Sequence, residues 1–297
     1  MENVNTYSKK ERNMFLTGMF GQNMIYNVVT VGLYYYFQNV ICLPAIAFGW
    51  IFAIARIWDA INDPMMGSIV DKTRTKWGKC RPYLIFSPIV ICVITIAAFF
   101  NGNYANAKAN GNKTAMIFIV AWAAISYVLW GMSYTVGDIP LWGIISRITE
   151  SEKDRSSLIS LSRIIASIGA GLVVISIVAV SQSLNSAFGL DTNAQKGFIV
   201  AAIIITIIGS ALFECAGTGT KERVPNGSET KTMKESFALM WKCKPFRRIL
   251  ISGLLFFADH AIYTGASYPG TSLLYELTSG LVIADIPLAC FIIPAIK

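Results

Sequence analysis

Apolar runs of roughly the 20 residues that a helix needs to cross a bilayer follow one another along this 297-residue chain and leave little room for any other fold. Seven begin near Met14, Ala45, Tyr83, Thr114, Ser157, Gly197 and Ile249, and a shorter eighth begins near Leu281. Hydrophobic residues make up 54% of the sequence and charged ones 14%, with a mean hydropathy of +0.54, so the average position prefers hydrocarbon to water. The fold class is therefore an all-α polytopic membrane protein. The first run passes Val31 without an Ala-x-Ala cleavage pattern and reads as a retained helix rather than a signal peptide. Six scattered cysteines (Cys42, Cys80, Cys92, Cys215, Cys243, Cys290) form no C-x-x-C or metal spacing and read as packing residues.

Lysine and arginine resist translocation, whereas acidic residues matter little for topology. Segments 1–13, 70–82, 146–156 and 216–248 carry 3, 5, 3 and 8 basic residues, and the intervening loops 101–114 and 182–196 carry 2 and 1. This asymmetry predicts a multi-pass protein of the cell membrane with a cytoplasmic N-terminus. The net charge of +8 follows from topology, calls for no nucleic acid, and suits contact with membrane lipids. Gly217 to Arg248 mixes charges of both signs with Pro225, Gly227 and Pro245, so it reads as a linker. The expected partition is an N-terminal six-helix bundle over 1–215, a cytoplasmic loop over 216–248, and the start of a second bundle over 249–297. That is the layout of major-facilitator transporters, whose two six-helix halves enclose a site at the midplane. The second half stops at Lys297, within its second span, which leaves an incomplete chain or an unusual protein as alternatives.

A charge at the bilayer centre costs roughly 2.5–3.5 kcal/mol on insertion scales, so buried ionisable groups need a partner, water or a function. Arg56, Asp59 and Asp63 stand at i, i+3 and i+7 of the second span and share a helix face. Two carboxylates one turn apart repel unless a cation lies between them or one is protonated. Bound Na⁺ or H⁺ supplies what the pair lacks, with Asn62 as a further neutral oxygen; otherwise Arg56 neutralises one acid as its charge partner. Pro64 frees the carbonyl of Ala60 or simply kinks the helix. In the fourth span Gly131, Thr135, Asp138 and Trp142 form one stripe, pairing a carboxylate with an indole. A sugar site needs that pairing: the carboxylate takes hydroxyls and the aromatic face covers the ring. Trp142 by itself is equally an interfacial anchor.

Arg163 lies on the fifth span beside Ser160 and Ser167, either snorkelling or facing the same interior. Gln22, Asn23, Asn27 and Thr30 bring amides and a hydroxyl to the first span, where interhelical hydrogen bonding is the alternative reading. At 1.5 Å per residue, Asn23 lies roughly 13 Å, Asp59 roughly 16 Å, and Asp63, Asp138 and Arg163 roughly 10 Å from the cytoplasmic ends of their helices. Four helices thus deliver polar groups to one level, which predicts a shared aqueous cavity. Asp71, Arg74 and Arg81 in the loop after the second span either reflect topology alone or form a cytoplasmic gate that bridges helix ends.

Three ordered strings carry a resemblance: Ala55-Arg-Ile-Trp-Asp59-Ala-Ile-Asn-Asp63-Pro-Met-Met-Gly67, Arg74-Thr-Lys-Trp-Gly-Lys-Cys-Arg81-Pro82, and Trp130-Gly-Met-Ser-Tyr134-Thr-Val-Gly-Asp138-Ile-Pro-Leu-Trp142. Over about the first 250 residues the chain resembles the glycoside-pentoside-hexuronide:cation symporters, the melibiose permease-like branch of the major facilitator superfamily. The resemblance implies a coupling Na⁺, Li⁺ or H⁺ at Asp59 and Asp63, with Asn62 and Thr135 beside them. It implies sugar contacts at Asp138, Trp142, Tyr134 and Arg163. A Lys-Asp pair that holds the galactoside in a melibiose carrier is matched here by Gln22 and Asn23, a departure that argues against melibiose as substrate. Beyond about Ser252 the resemblance fades, and Asp259, His260, Glu276 and Asp285 match nothing in it.

The expectation is a secondary active transporter: symport of a glycoside, pentoside or related sugar with a monovalent cation, by alternating access and without a resident cofactor. The alternatives are a major-facilitator carrier of an amphipathic lipid and an inactive transporter fragment. An enzyme is not expected, because no H-E-x-x-H, G-x-S-x-G or paired-His motif is present and His260 is the single histidine.

Overall fold

The computed structural model describes residues 6–189 and 195–224, with a few isolated positions beyond. The chain divides into two compact units, Met1–Asn226 and Gly227–Lys297. The spans expected near Ile249 and Leu281, most of the linker, and Asp259, His260, Glu276 and Asp285 lie outside the described residues.

In the first unit the helices are α1 (Lys9–Asn27), α2 (Ala45–Lys72), α3 (Arg81–Phe99), α4 (Tyr104–Ala109), α5 (Lys113–Gly143), α6 (Ile145–Ile148), α7 (Glu152–Phe188) and α8 (Gln195–Gly219). Five of them, α2, α3, α5, α7 and α8, are long and apolar enough to cross a membrane. The starts of the apolar runs fall within a few residues of these helix starts. Two features were not read from the sequence: the short helices α4 and α6, and the π-helical winding that continues α1 over Val28–Leu33 and Tyr36–Val40.

Local chemistry sets the ends. Ser8 caps α1 in a reciprocal box with Glu11. Asn112 and Ser151 accept backbone N–H groups at the starts of α5 and α7, and Gly189, in the left-handed region, closes α7. On α2 the exposed Ile46, Trp50, Ile54, Ile57, Ile61, Met65 and Ile69 recur every three or four residues and form one apolar stripe. Similar exposed apolar faces on α3, α5 and α7 are tolerable only against hydrocarbon.

α1 packs along α7 and α8, α3 along α8 and α5, and α2 mainly along α5. Two apolar clusters fill the bundle. One, around Tyr36, Phe37, Phe99 and Phe198, lies toward the end remote from the chain start, called distal below. The other, around Phe15, Leu84, Leu141, Ile148 and Phe213, lies toward the proximal end. On α5, Tyr134 packs against the first while Ile139 and Trp142 pack against the second, so the polar residues between them fall at the junction.

The proximal end is tied by the residues that follow α8. Glu222 accepts the backbone N–H groups of Lys79, Cys80 and Arg81 at 3.0, 2.8 and 3.2 Å, capping α3. A side chain at Gly78 (φ 110°) would collide with that carboxylate, which is why a glycine stands there. Arg223 binds both Glu11 oxygens at 2.9 and 2.7 Å, and the backbone N–H groups of Arg223 and Val224 reach the Arg147 carbonyl at 2.8 and 3.0 Å. Burial alone would raise the Glu11 carboxyl, but the hydrogen bonds from Arg223 and Ser8 outweigh it and hold the group below its ordinary value. Burial, and next the Glu222 carboxylate, push the Cys80 thiol up to about 12.

Candidate functional site

A cavity opens between α1, α2 and α5. Its polar lining is Tyr26 from α1 and Thr30 from its π-helical continuation, Arg56, Asp59 and Asp63 from α2, and Tyr127, Tyr134, Thr135 and Asp138 from α5, with Trp130 and Gly131 in the wall. The helical period places Asp59 and Asp63 one turn apart on the face of α2 that meets α5. Gly131 makes room there, since a Cβ at that position would come 3.1 Å from Asp59 Oδ1.

Each acid has a different set of partners. Asp59 Oδ2 lies 3.7 Å from Arg56 Nη1, and the arginine side chain is 65% exposed. Asp63 Oδ1 accepts a hydrogen bond from Thr135 Oγ1 at 3.0 Å, while that hydroxyl also lies 3.0 Å from the Gly131 carbonyl. Asp138 Oδ1 accepts from Gln22 Nε2 at 2.7 Å, and the same amide donates to the Tyr134 hydroxyl. Asn23 Nδ2 in turn donates to Gln22 Oε1 at 2.6 Å, so both ends of the Gln22 amide are engaged. The Arg163 guanidinium lies 4.5 Å above the Trp142 ring. Asp59, Asp63 and Asp138 line the same cavity and form an acidic trio.

The lining thus carries three carboxylates against one guanidinium. Such an excess of negative charge along one cavity wall suits a cation or a proton. Among the described residues no three Asp, Glu, Cys or His side chains form a metal-binding cluster. The donors present are carboxylates in ones and twos with a hydroxyl and backbone carbonyls, a hard-oxygen set that suits a monovalent cation or a proton rather than a transition metal.

The structure brings Asp59, Asp63, Thr135, Tyr134, Asp138 and Arg56 to the cavity wall. Gln22, Asn23, Trp142 and Arg163 stand behind it as partners of Asp138 or of one another. Asn62 is not in the lining, and its Nδ2 is buried without a partner among the described residues. Arg81 joins the proximal ties through Nε to the Gly217 carbonyl at 3.2 Å. Asp71 and Arg74 are exposed.

Of the distal wall, sequence reasoning named Tyr134 and missed Tyr26, Tyr127 and Trp130. Tyr127, Trp130 and Tyr134 stack in sequence along α5 with ring centroids 6.0 and 5.0 Å apart. Tyr26 leans on Trp130 and Tyr134 at 6.2 and 5.3 Å. The i, i+3, i+7 spacing of the three α5 aromatics was the available signal, but aromatic residues in a membrane helix read first as core. Trp130 is 4% exposed, and its indole nitrogen has no partner among the described residues. Leaving such a donor unmet costs about 1–3 kcal/mol.

A bundle of helices apolar on the outside, with an acidic cavity inside, defines a multi-pass α-helical membrane protein. A family profile described as MFS/sugar transport protein matches residues 14–273, and the chain belongs to that family, as the resemblance implied. It is 31% identical over 225 residues to the "Uncharacterized symporter YnaJ" of Bacillus subtilis (strain 168), covering 75% of this chain and 45% of that protein. It is 28% identical over 239 residues to the "Isoprimeverose transporter" of Lactiplantibacillus pentosus (80% and 46%). Against the "Inner membrane symporter YicJ" of Escherichia coli (strain K12) the identity is 29% over 248 residues (84% and 50%). The chain spans about half the length of these curated relatives.

Proposed function

We propose that the protein is a secondary active symporter that moves a glycoside, pentoside or related sugar across the cytoplasmic membrane together with Na⁺, Li⁺ or H⁺. The observation that carries this reading is the acidic trio lining one cavity with a single guanidinium. In this account the cation sits at Asp59 and Asp63, with Thr135 as a neutral neighbour and Asn62 outside the cavity wall, and Arg56 compensates Asp59 when the cation is absent. The sugar is gripped through Asp138 and Tyr134, with Trp142, Arg163, Gln22 and Asn23 setting the carboxylate's orientation and charge. Because Asp59, Asp63 and Asp138 line one cavity, a cation bound at the first two lowers the negative potential at Asp138 as well. That common relief raises the affinity for the second ligand, and linkage makes the effect reciprocal. The proximal end faces the cytoplasm by its excess of basic residues, and Asp71, Arg74 and Arg81 act at that face as a gate.

The relatives named as symporters and as carriers of isoprimeverose, lactose and raffinose support the reading in kind. Uptake of labelled sugars into cells under imposed Na⁺ or H⁺ gradients, with and without Asp59→Asn, tests it. The substitution is expected to abolish accumulation against a gradient; undiminished accumulation removes Asp59 from the coupling role.

A further inference from the structure

Independently of the solute carried, we propose that Trp241, Lys244, Arg247, Arg248 and Ile251 form a binding site for the phosphate headgroup of an anionic phospholipid, at the start of the apolar run that begins near Ile249. Lys244, Arg247 and Arg248 hold the phosphate, and Trp241 and Ile251 cover the adjoining glycerol and the top of an acyl chain.

Three observations lead there. The five side chains line one concavity within the second unit, and that lining holds three cationic groups and no carboxylate. The surrounding sequence deepens the imbalance, since between Glu235 and Asp259 it carries Lys242, Lys244, Arg247 and Arg248 and no acid. Like charges turned into one hollow repel until an anion lies among them. Next, the concavity is of mixed character. Trp241 and Ile251 are 51% and 56% exposed in its wall. An indole favours the membrane–water interface, and the stems of lysine and arginine lie along apolar surface while their heads reach phosphate. A site for free phosphate has no use for these apolar groups. Finally, the backbone spaces the two chemistries. The Arg247 N–H donates to the Cys243 carbonyl at 3.2 Å, a helical bond. The seven residues from Lys244 to Ile251 then rise roughly 10 Å, enough to run from the headgroup layer to the edge of the hydrocarbon. Topology explains basic residues on one side of the membrane. It demands nothing of their direction, and so does not account for three of them converging beside an indole. A juxtamembrane cluster of this kind attracts anionic lipid.

The test titrates the full chain, purified in dodecyl maltoside, with dioleoylphosphatidylglycerol, dioleoylphosphatidylcholine or soluble glycerol 1-phosphate, and reads bound ligand by native mass spectrometry. Phosphatidylglycerol is expected to bind about tenfold more tightly than either of the others, or better. Arg247→Gln combined with Arg248→Gln is expected to weaken it about thirtyfold. Lys9→Gln combined with Lys10→Gln removes the same charge from the exposed start of α1 and is expected to change it by less than about twofold. If the arginine pair fails to elute as a single folded species, Lys244→Gln carries the test, with an expected loss of about fivefold. Equal losses for the arginine and lysine pairs, or no loss on removing the cations of the concavity, overturn the site and leave only diffuse surface charge. Phosphatidylcholine bound as tightly as phosphatidylglycerol overturns recognition by charge. Glycerol 1-phosphate bound as tightly overturns the lipid assignment in favour of a soluble phosphate ester. Gradient-driven sugar uptake stands or falls apart from all of these outcomes.

Discussion

Glu222 and Asp63 are carboxylates of the same unit, yet their surroundings differ in kind. Glu222 accepts three backbone N–H groups at a helix start, and beside it Arg223 binds both oxygens of Glu11. Asp63 accepts one hydrogen bond, from Thr135, and lines a cavity with two other acids. The first arrangement satisfies each charge with fixed protein dipoles and holds helix ends together. The second gives the carboxylate a single side-chain donor on a cavity wall shared with two other acids, which is what the proposed cation site would use. Charged residues that look alike in sequence therefore divide into a proximal set that fastens and a central set that waits.

The sharpest way to break this distinction is Asp63→Asn. It is expected to abolish gradient-driven sugar accumulation without lowering the melting temperature of the purified protein, because it relieves repulsion. A clear drop in thermal stability would mean that Asp63 is structural after all. Glu222→Ala reverses the pattern. Losing the α3 cap is expected to cost about 2 kcal/mol, or roughly 6 °C in melting temperature, with little change in the cation concentration that half-saturates uptake.

Arg223→Met is smaller, about 1.5 kcal/mol at neutral pH, since Glu11 keeps its bonds with Ser8. Its signature lies in the pH dependence. The Glu11 carboxyl is held below its ordinary 4.5 in the folded protein, so its ionised form contributes stability above that pH. The contribution is lost as pH falls through the lower, folded value. Melting curves from pH 7 to pH 3 should show a shallower acid loss in Arg223→Met than in the parent. The smallest effect concerns Cys80, whose thiol is pushed up to about 12 by burial and by Glu222. A maleimide at pH 7 should leave Cys80 unmodified in the parent and label it slowly in Glu222→Ala, read by mass spectrometry.

Helix positions and outward faces were legible in the sequence because both depend on local periodicity. Ala45 opens both the apolar run and α2, and the isoleucine stripe on that helix follows from 3.6 residues per turn. The shared face of Arg56, Asp59 and Asp63 is local in the same sense. Tertiary structure decided which side chains from different helices meet, because partners across a bundle depend on how each helix is rotated and how closely it packs. That is why Gln22 reaches Asp138 over 116 positions and Arg223 reaches Glu11 over 212. It also explains why Asn62, beside Asp63 in sequence, is turned about 100° around the helix axis from it and stays out of the cavity lining. The chain's own order thus determined a bundle of apolar helices that carry acids along their length, and only the packing of α1 and α2 against α5 brought those acids to one cavity wall.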